Sequence, residues 1–195
     1  GDTGESITPT FKAYPKELEE TLRNHNNQKY KIRPIKGEDE EYIADFYRKL
    51  SPDTLRFRFF NSRQNFDHKE LTRLTQIDYD REMGFVAFHK KVAVGMVSCW
   101  IDPDSITAEF SVIIADDQVG QRLGFLLMTK MINYLSIDRG VLQLFGSVMP
   151  NNHPMLKLAR RLGFSEKENT KDGFIEIVLN LNEPTQSWQA KRLYT

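Results

Sequence analysis

The sequence predicts an α/β protein of the α+β sandwich type: a mixed, mostly antiparallel sheet with helices on both faces. Three observations carry this. Apolar residues recur at helical spacing in the first third of the chain and at strand spacing through its middle. Turn residues separate the strand-like runs by only three or four positions, as hairpins require. One strand–helix–strand unit, 106–149, is long enough to bring its second strand back parallel to its first by the right-handed route.

Each element has a local reason. Residues 18–23 and 29–35 flank the polar cluster His25-Asn26-Asn27-Gln28 and form a hairpin. Tyr42, Ile43, Phe46 and Leu50 share one face of a helix over 38–50, and Ser51-Pro52-Asp53 restarts a short helix with Ser51 as N-cap. Asp67 with Glu70 three residues on gives a capping box for a helix over 67–76. The period then shortens: 84–88 and 92–101 are strands joined by His89-Lys90-Lys91, and a turn at 102–105 leads to a third strand, 106–115. Leu123, Leu126, Leu127, Met131, Tyr134 and Leu135 form the apolar stripe of a helix over 120–137. Gly140 stops it, 141–149 is a strand, and 154–162 is a short helix ended by Gly163. Strands 164–168 and 174–181 complete the set.

Composition narrows the function classes. At 195 residues the chain is one domain with trimmings, and 27 basic residues against 27 acidic ones give no global charge that would argue for nucleic acid or a membrane surface. Apolar stretches are too short for a membrane helix, and no secretory signal opens the chain. Cys99 is the single cysteine and sits in a strand, which reads as a buried inert thiol; no Cys/His cluster has metal-ligand spacing. His25, His68, His89 and His153 are scattered in polar contexts. The expectation is a soluble, cytoplasmic protein. Residues 1–13 read as a linker or cloning remnant, and 182–195 as an extension with no assignable role.

Two features can carry chemistry. The junction from Ile114 through Asp116, Val119, Gly120 and Arg122 to Gly124 joins a strand to a helix, where glycines and free N–H groups suit a phosphate; a tight structural turn explains the same residues. In the preceding strand, Thr107, Glu109, Ser111 and Ile113 share one face and Ala108, Phe110, Val112 and Ile114 the other. With helices on both faces, Glu109 lies in or beside a cleft whose desolvation would make its carboxylate a stronger base; the alternative is an exposed carboxylate.

Several blocks together resemble the GCN5-related N-acetyltransferase (GNAT) family, and within it the lysine acetyltransferase domains fused to acyl-CoA-synthetase-like modules in bacteria. They are Tyr14-Pro15-Lys16-Glu17-Leu18-Glu19, Ile32-Arg33-Pro34-Ile35, Leu50-Ser51-Pro52 with Arg58-Phe59-Phe60, the run from Leu74 to Met83, Ala108-Glu109-Phe110, Pro150 to Met155, and Ala159 to Phe164. The resemblance spans 14–181. It implies a splay between the strand holding Glu109 and strand 141–149, with the pantetheine of acetyl-CoA between them. Ile113, Ile114 and Ala115 would face the pantetheine through their backbones, and Val119, Gly120, Gln121, Arg122, Leu123 and Gly124 would face the phosphates. Asn152 would contact the cofactor near its thiol, and Glu109 would be the general base.

The resemblance further implies a protein lysine as acceptor, on an acyl-CoA synthetase, and a synthetase-like domain preceding this chain. Ala159 stands where many small-molecule relatives carry a tyrosine acid. One departure is local: the family's phosphate loop reads Gln/Arg-x-x-Gly-x-Gly/Ala, whereas this chain has Val119 first and Arg122 at the middle glycine. If that position needs a positive φ, Arg122 carries strain. Arg122 therefore supports a rival reading, a GNAT-like module that binds acyl-CoA or a partner domain without turnover, and Glu109 opposes it. A small-amine acceptor is a third reading. Arg56, Arg58, Arg63 and Arg73 give the expected acceptor side positive charge, as recognition surface or as solvated face.

Overall fold

The computed structural model describes residues 13–58, 68–169 and 173–182. Its eight strands are β1 (Glu20–Arg23), β2 (Lys29–Pro34), β3 (Glu82–His89), β4 (Val92–Ile101), β5 (Thr107–Ile114), β6 (Gln143–Val148), β7 (Ser165–Asn169) and β8 (Phe174–Asn180). They form one sheet in the order β1-β2-β3-β4-β5-β6-β8-β7, antiparallel throughout except for the parallel pair β5–β6. The helices are α1 (Glu40–Arg48), α2 (Pro52–Arg58), α3 (His68–Thr75), α4 (Leu123–Asn133) and α5 (His153–Leu162). The expected mixed sheet is present.

Strand alternation divides the core. Val86, Met96 and Ile113 pack with Ile43, Phe46 and Tyr47 of α1, while Phe85, Val97 and Phe110 pack with α4 and α5. Adjacent residues thus reach opposite layers, which is the two-faced burial that the period of two encodes. The β1–β2 turn closes because Asn24 Oδ1 accepts from the N–H groups of Asn26 and Gln28, both at 2.9 Å, and Asn27 takes φ 62°. Ser51 Oγ accepts from the Thr54 N–H at 3.2 Å, making Ser51 the expected cap of α2. Arg33 forks onto Asp39, 1% exposed, at 2.8 and 2.7 Å and ties β2 to the start of α1.

The structure departs from the sequence expectation in three places. Tyr42 does not join the buried face of α1; it is exposed and sets its ring edge-on to Phe88 at 5.4 Å. The α4 stripe is buried as expected, but so are Phe125, Met128, Thr129, Lys130, Ile132 and Asn133. The polar ones are satisfied internally: Lys130 Nζ reaches Glu20 Oε1 at 2.7 Å, and Asn133 Nδ2 donates to the Thr129 carbonyl at 2.8 Å. After Asn133 the helix widens into a π turn, Tyr134–Asp138. The Asp67–Glu70 capping box, Arg63 and the terminal segments 1–12 and 183–195 lie outside the described residues or side chains.

Candidate active site

The parallel register between β5 and β6 lasts only three pairs, Thr107–Gln143, Ala108–Leu144 and Glu109–Phe145. Beyond Glu109 the strands part, leaving a gap between Phe110–Ile114 and Gly146–Val148. Phe110 fills its underside. A Cβ on Gly146 would sit 2.6 Å from the Phe110 ring, so only glycine allows this approach, and the ring also packs 5.5 Å from Phe164. Backbone polarity then decides what faces the gap. The Ala115 N–H donates to the Val94 carbonyl at 2.8 Å, and N–H and C=O of one residue point the same way in an antiparallel strand. Ala115 and Ile113 are therefore turned toward β4, and Ile114 and Val112 toward the gap. Of the three residues expected there, only Ile114 offers its backbone; Val112 joins it.

Past β5, Gly120 has φ 83° and Arg122 has φ 71°. The middle position of the loop does require a left-handed backbone, and arginine occupies it at a cost of about 1–2 kcal/mol. These bends deliver the chain to the N-terminus of α4, whose cap, Arg122, makes no side-chain capping bond. The first-turn N–H groups of a helix have no intrahelical acceptor, so those of Leu123 and Gly124 suit an anion. Leu123 can act only through that backbone, because its side chain is fully buried. Gly124 has a packing role too: a Cβ there would meet Leu158 of α5 at 3.0 Å. Val119 is exposed, and the Arg122 guanidinium lies 5.1 Å from the Phe125 ring.

Side chains from two distant elements hold this loop. From the hairpin, Tyr30 OH donates to buried Gln118 at 2.5 Å, Asn24 Nδ2 donates to the Gln121 carbonyl at 3.0 Å, and Asn26 Nδ2 donates to Gln121 Oε1 at 3.1 Å. From α2, Thr54 Oγ1 and the Ser51 N–H donate to Asp116 at 2.6 and 2.8 Å. Sequence spacing could not reveal these struts, which join residues 62 to 97 positions apart.

On the α1–α3 face, an open pocket of about 330 Å³ is lined by Glu82, Ser98, Trp100 and Glu109 from the strands and by Arg58 and Arg73 from α2 and α3. Glu109 is exposed at its mouth and not enclosed, which answers the choice left open by the sequence. Glu82 was missed as a site residue, although it lies in a block quoted for the resemblance. Burial pushes its carboxyl above the usual range, opposed by a backbone hydrogen bond at Asp78 and by the charge of Arg73. Cys99 points to the opposite layer, where burial pushes its thiol up to about 12, so it is inert. Asn152 caps α5, its Oδ1 accepting from the Met155 N–H at 3.3 Å, and Ala159 is buried in the core. Among the described residues, no three His, Cys, Asp or Glu side chains cluster to hold a metal ion, and no helix is long and apolar enough to cross a membrane.

Comparison with known proteins places this geometry. Residues 39–164 match the model of the acetyltransferase (GNAT) family. The chain is 31% identical over 147 residues to Acetyltransferase PA5475 of Pseudomonas aeruginosa, covering 72% of this chain and 77% of that protein. Among solved structures, the GNAT domain of Streptomyces lividans PAT superposes with TM-score 0.80 at 22% identity, over 86% of this chain and 99% of that one. Mycobacterium smegmatis RimJ in complex with CoA-disulfide superposes with TM-score 0.68 at 15% identity, over 90% and 93%.

Proposed function

The chain belongs to the GNAT acetyltransferase family, and on that premise we propose that it transfers an acetyl group from acetyl-CoA to a lysine side chain of a partner protein, an acyl-CoA synthetase. The observation that carries this reading is the position of Glu109, the last β5 residue in register with β6, so that a carboxylate stands where the gap opens. The gap supplies unpaired backbone at Val112 and Ile114 for the pantetheine arm, and the α4 N-terminus supplies N–H groups for the phosphates. Arg122 would add its charge there. Asn152 stands at the far side, at the β6–α5 junction. The partner and the preceding synthetase-like domain rest on the sequence blocks, and a cytoplasmic setting accords with a lone, unpaired cysteine.

The chemistry asks for a base. A lysine amine with a reference pKa near 10.4 is only about 0.04% neutral at pH 7. Glu109 takes the ammonium proton, directly or through a water. The amine nitrogen then bonds to the acetyl carbon, that carbon's bond to sulfur breaks, and the nitrogen's surplus proton passes to the departing thiolate, a good leaving group with a thiol pKa near 8.5. Backbone N–H groups along the gap oppose the negative charge that develops on oxygen.

Calorimetric titration of acetyl-CoA into the natural chain and into Arg122→Gly tests the donor side. Binding by the natural chain is expected, with Glu109→Gln then lowering transfer to a lysine substrate by about 10²–10⁴-fold while leaving donor affinity unchanged. The left-handed backbone of Arg122 favours a second reading, a regulatory domain with a disabled loop. Binding seen only after Arg122→Gly would select it.

A further inference from the structure

The pocket floor carries two residues, Glu82 and Trp100, that general-base catalysis by Glu109 does not use. Glu82 on β3 pairs across to Trp100 on β4, and Trp100 pairs across to Glu109 on β5. Directly paired residues point to the same face, so the three side chains stand in one row across three strands. At roughly 4.8 Å per strand the two carboxylate-bearing positions are about 10 Å apart, with the indole between them. The row behind it is Gly84, Ser98 and Ser111: the two serines line the pocket, while Ile35 and Ile77 close over Gly84, where a Cβ would meet them at 2.7 and 3.1 Å. Trp100, near the end of β4, is 48% exposed and lines this pocket. Glu82 is part-buried and loses hydration that a bound cation would replace.

We propose that the row Glu82–Trp100–Glu109 is the acceptor subsite, taking the terminal ammonium of an extended alkylamine over the Trp100 ring, with Glu82 holding the cation and Glu109 placed to receive its proton. An aromatic face attracts a cation within about 6 Å of its centroid, and its apolar body covers the methylenes behind the charge. Arg58 and Arg73 form the opposite wall, and the charge of Arg73 partly offsets the burial that raises the Glu82 carboxyl. The row therefore selects a lysine-like amine over a short or aromatic one. This rests on the acetyl-transfer reading but adds two residues, Glu82 and Trp100, that the reading does not require.

The test uses acetyl-CoA with Nα-acetyl-lysine methylamide as acceptor, thiol release as readout and the full chain throughout. Glu82→Gln and Trp100→Leu are each expected to raise the acceptor KM about tenfold or more, with kcat within about threefold and acetyl-CoA affinity by calorimetry unchanged. Trp100→Phe is expected to restore most of the loss. Unchanged donor affinity also shows that each variant is folded. An acceptor KM within twofold of the natural chain in both variants overturns the subsite and leaves the transfer reading standing. If the natural chain releases no thiol, the transfer reading fails, and binding decides the subsite: calorimetric binding of the lysine amide, lost in Glu82→Gln, supports it. No binding of that amide, or binding of N-acetylglutamate in its place, overturns it.

Discussion

At its Glu109 end β5 is held by backbone pairing to strands on both sides, whereas at its Ala115 end it runs into a loop held by side chains from the β1–β2 hairpin and from α2. The two arrangements divide the labour in opposite ways. On the floor the backbone does the holding, so side chains such as Glu109, Trp100 and Glu82 are left for chemistry. In the loop the side chains of Gln118, Gln121 and Asp116 do the holding, and although the N–H groups of Gln118, Val119 and Gln121 close turns within it, those of Leu123 and Gly124 at the start of α4 are left to meet a ligand. Asp116 is informative: an acidic group this close to a phosphate site would repel it, and three hydrogen bonds from Ser51 and Thr54 occupy that charge.

The contrast can be broken from either side. The largest effect is expected from Gly146→Val, which drives a branched side chain into the Phe110 ring; a loss of about 2 kcal/mol corresponds to a melting temperature roughly 4–8 °C lower. An unchanged melting temperature would mean the gap is not fixed by packing. Next comes the underside of the floor. The folded Cys99 thiol titrates near 12 against about 9 unfolded, so the folded state keeps its proton longer and stability falls as pH rises from 9 through 12. Between pH 9 and 10 this amounts to about 1 kcal/mol, which Cys99→Ala should remove from the urea midpoint. Tyr79, pushed up to about 12 by burial, adds its own loss only above pH 10.

Smaller effects belong to the loop. Asp116→Asn weakens the clamp by about 1 kcal/mol and should raise the KM for acetyl-CoA while the acceptor KM stays put, because the floor does not depend on it. The smallest stability change is Arg122→Gly, a gain of about 0.5–1 kcal/mol from relief of the left-handed backbone. A lower melting temperature instead would show that the guanidinium contact with Phe125 outweighs the strain.

Much of this was legible in the chain. The alternation around Glu109 fixed its face, and the loop's departure at Arg122 foretold a strained backbone because glycine positions in such turns have a conformational reason. What spacing could not supply was register. Nothing local pairs Glu82 with Trp100 and Glu109, sets Phe110 against Gly146, or sends Asn24 to Gln121, since each depends on how strands far apart in sequence align. The same holds for α4. Its stripe was visible, yet its burial on every side follows from Glu20 and other neighbours that the helix alone does not reveal. Asn152 shows a related ambiguity, since a residue expected near the cofactor also serves as a cap.

The short seam between β5 and β6 also bears on how the chain assembles. The strands up to Ile114 pair only with neighbours in chain order, and each pairing can form as soon as its second strand is made. The remaining strands form a second piece, joined to the first through three backbone-paired positions, the helix between them and the packing of Phe110 on Gly146 and Phe164. Emergence from the ribosome and sheet growth therefore run in the same direction until the seam. The last piece to dock is the one that turns an uninterrupted sheet into a cleft.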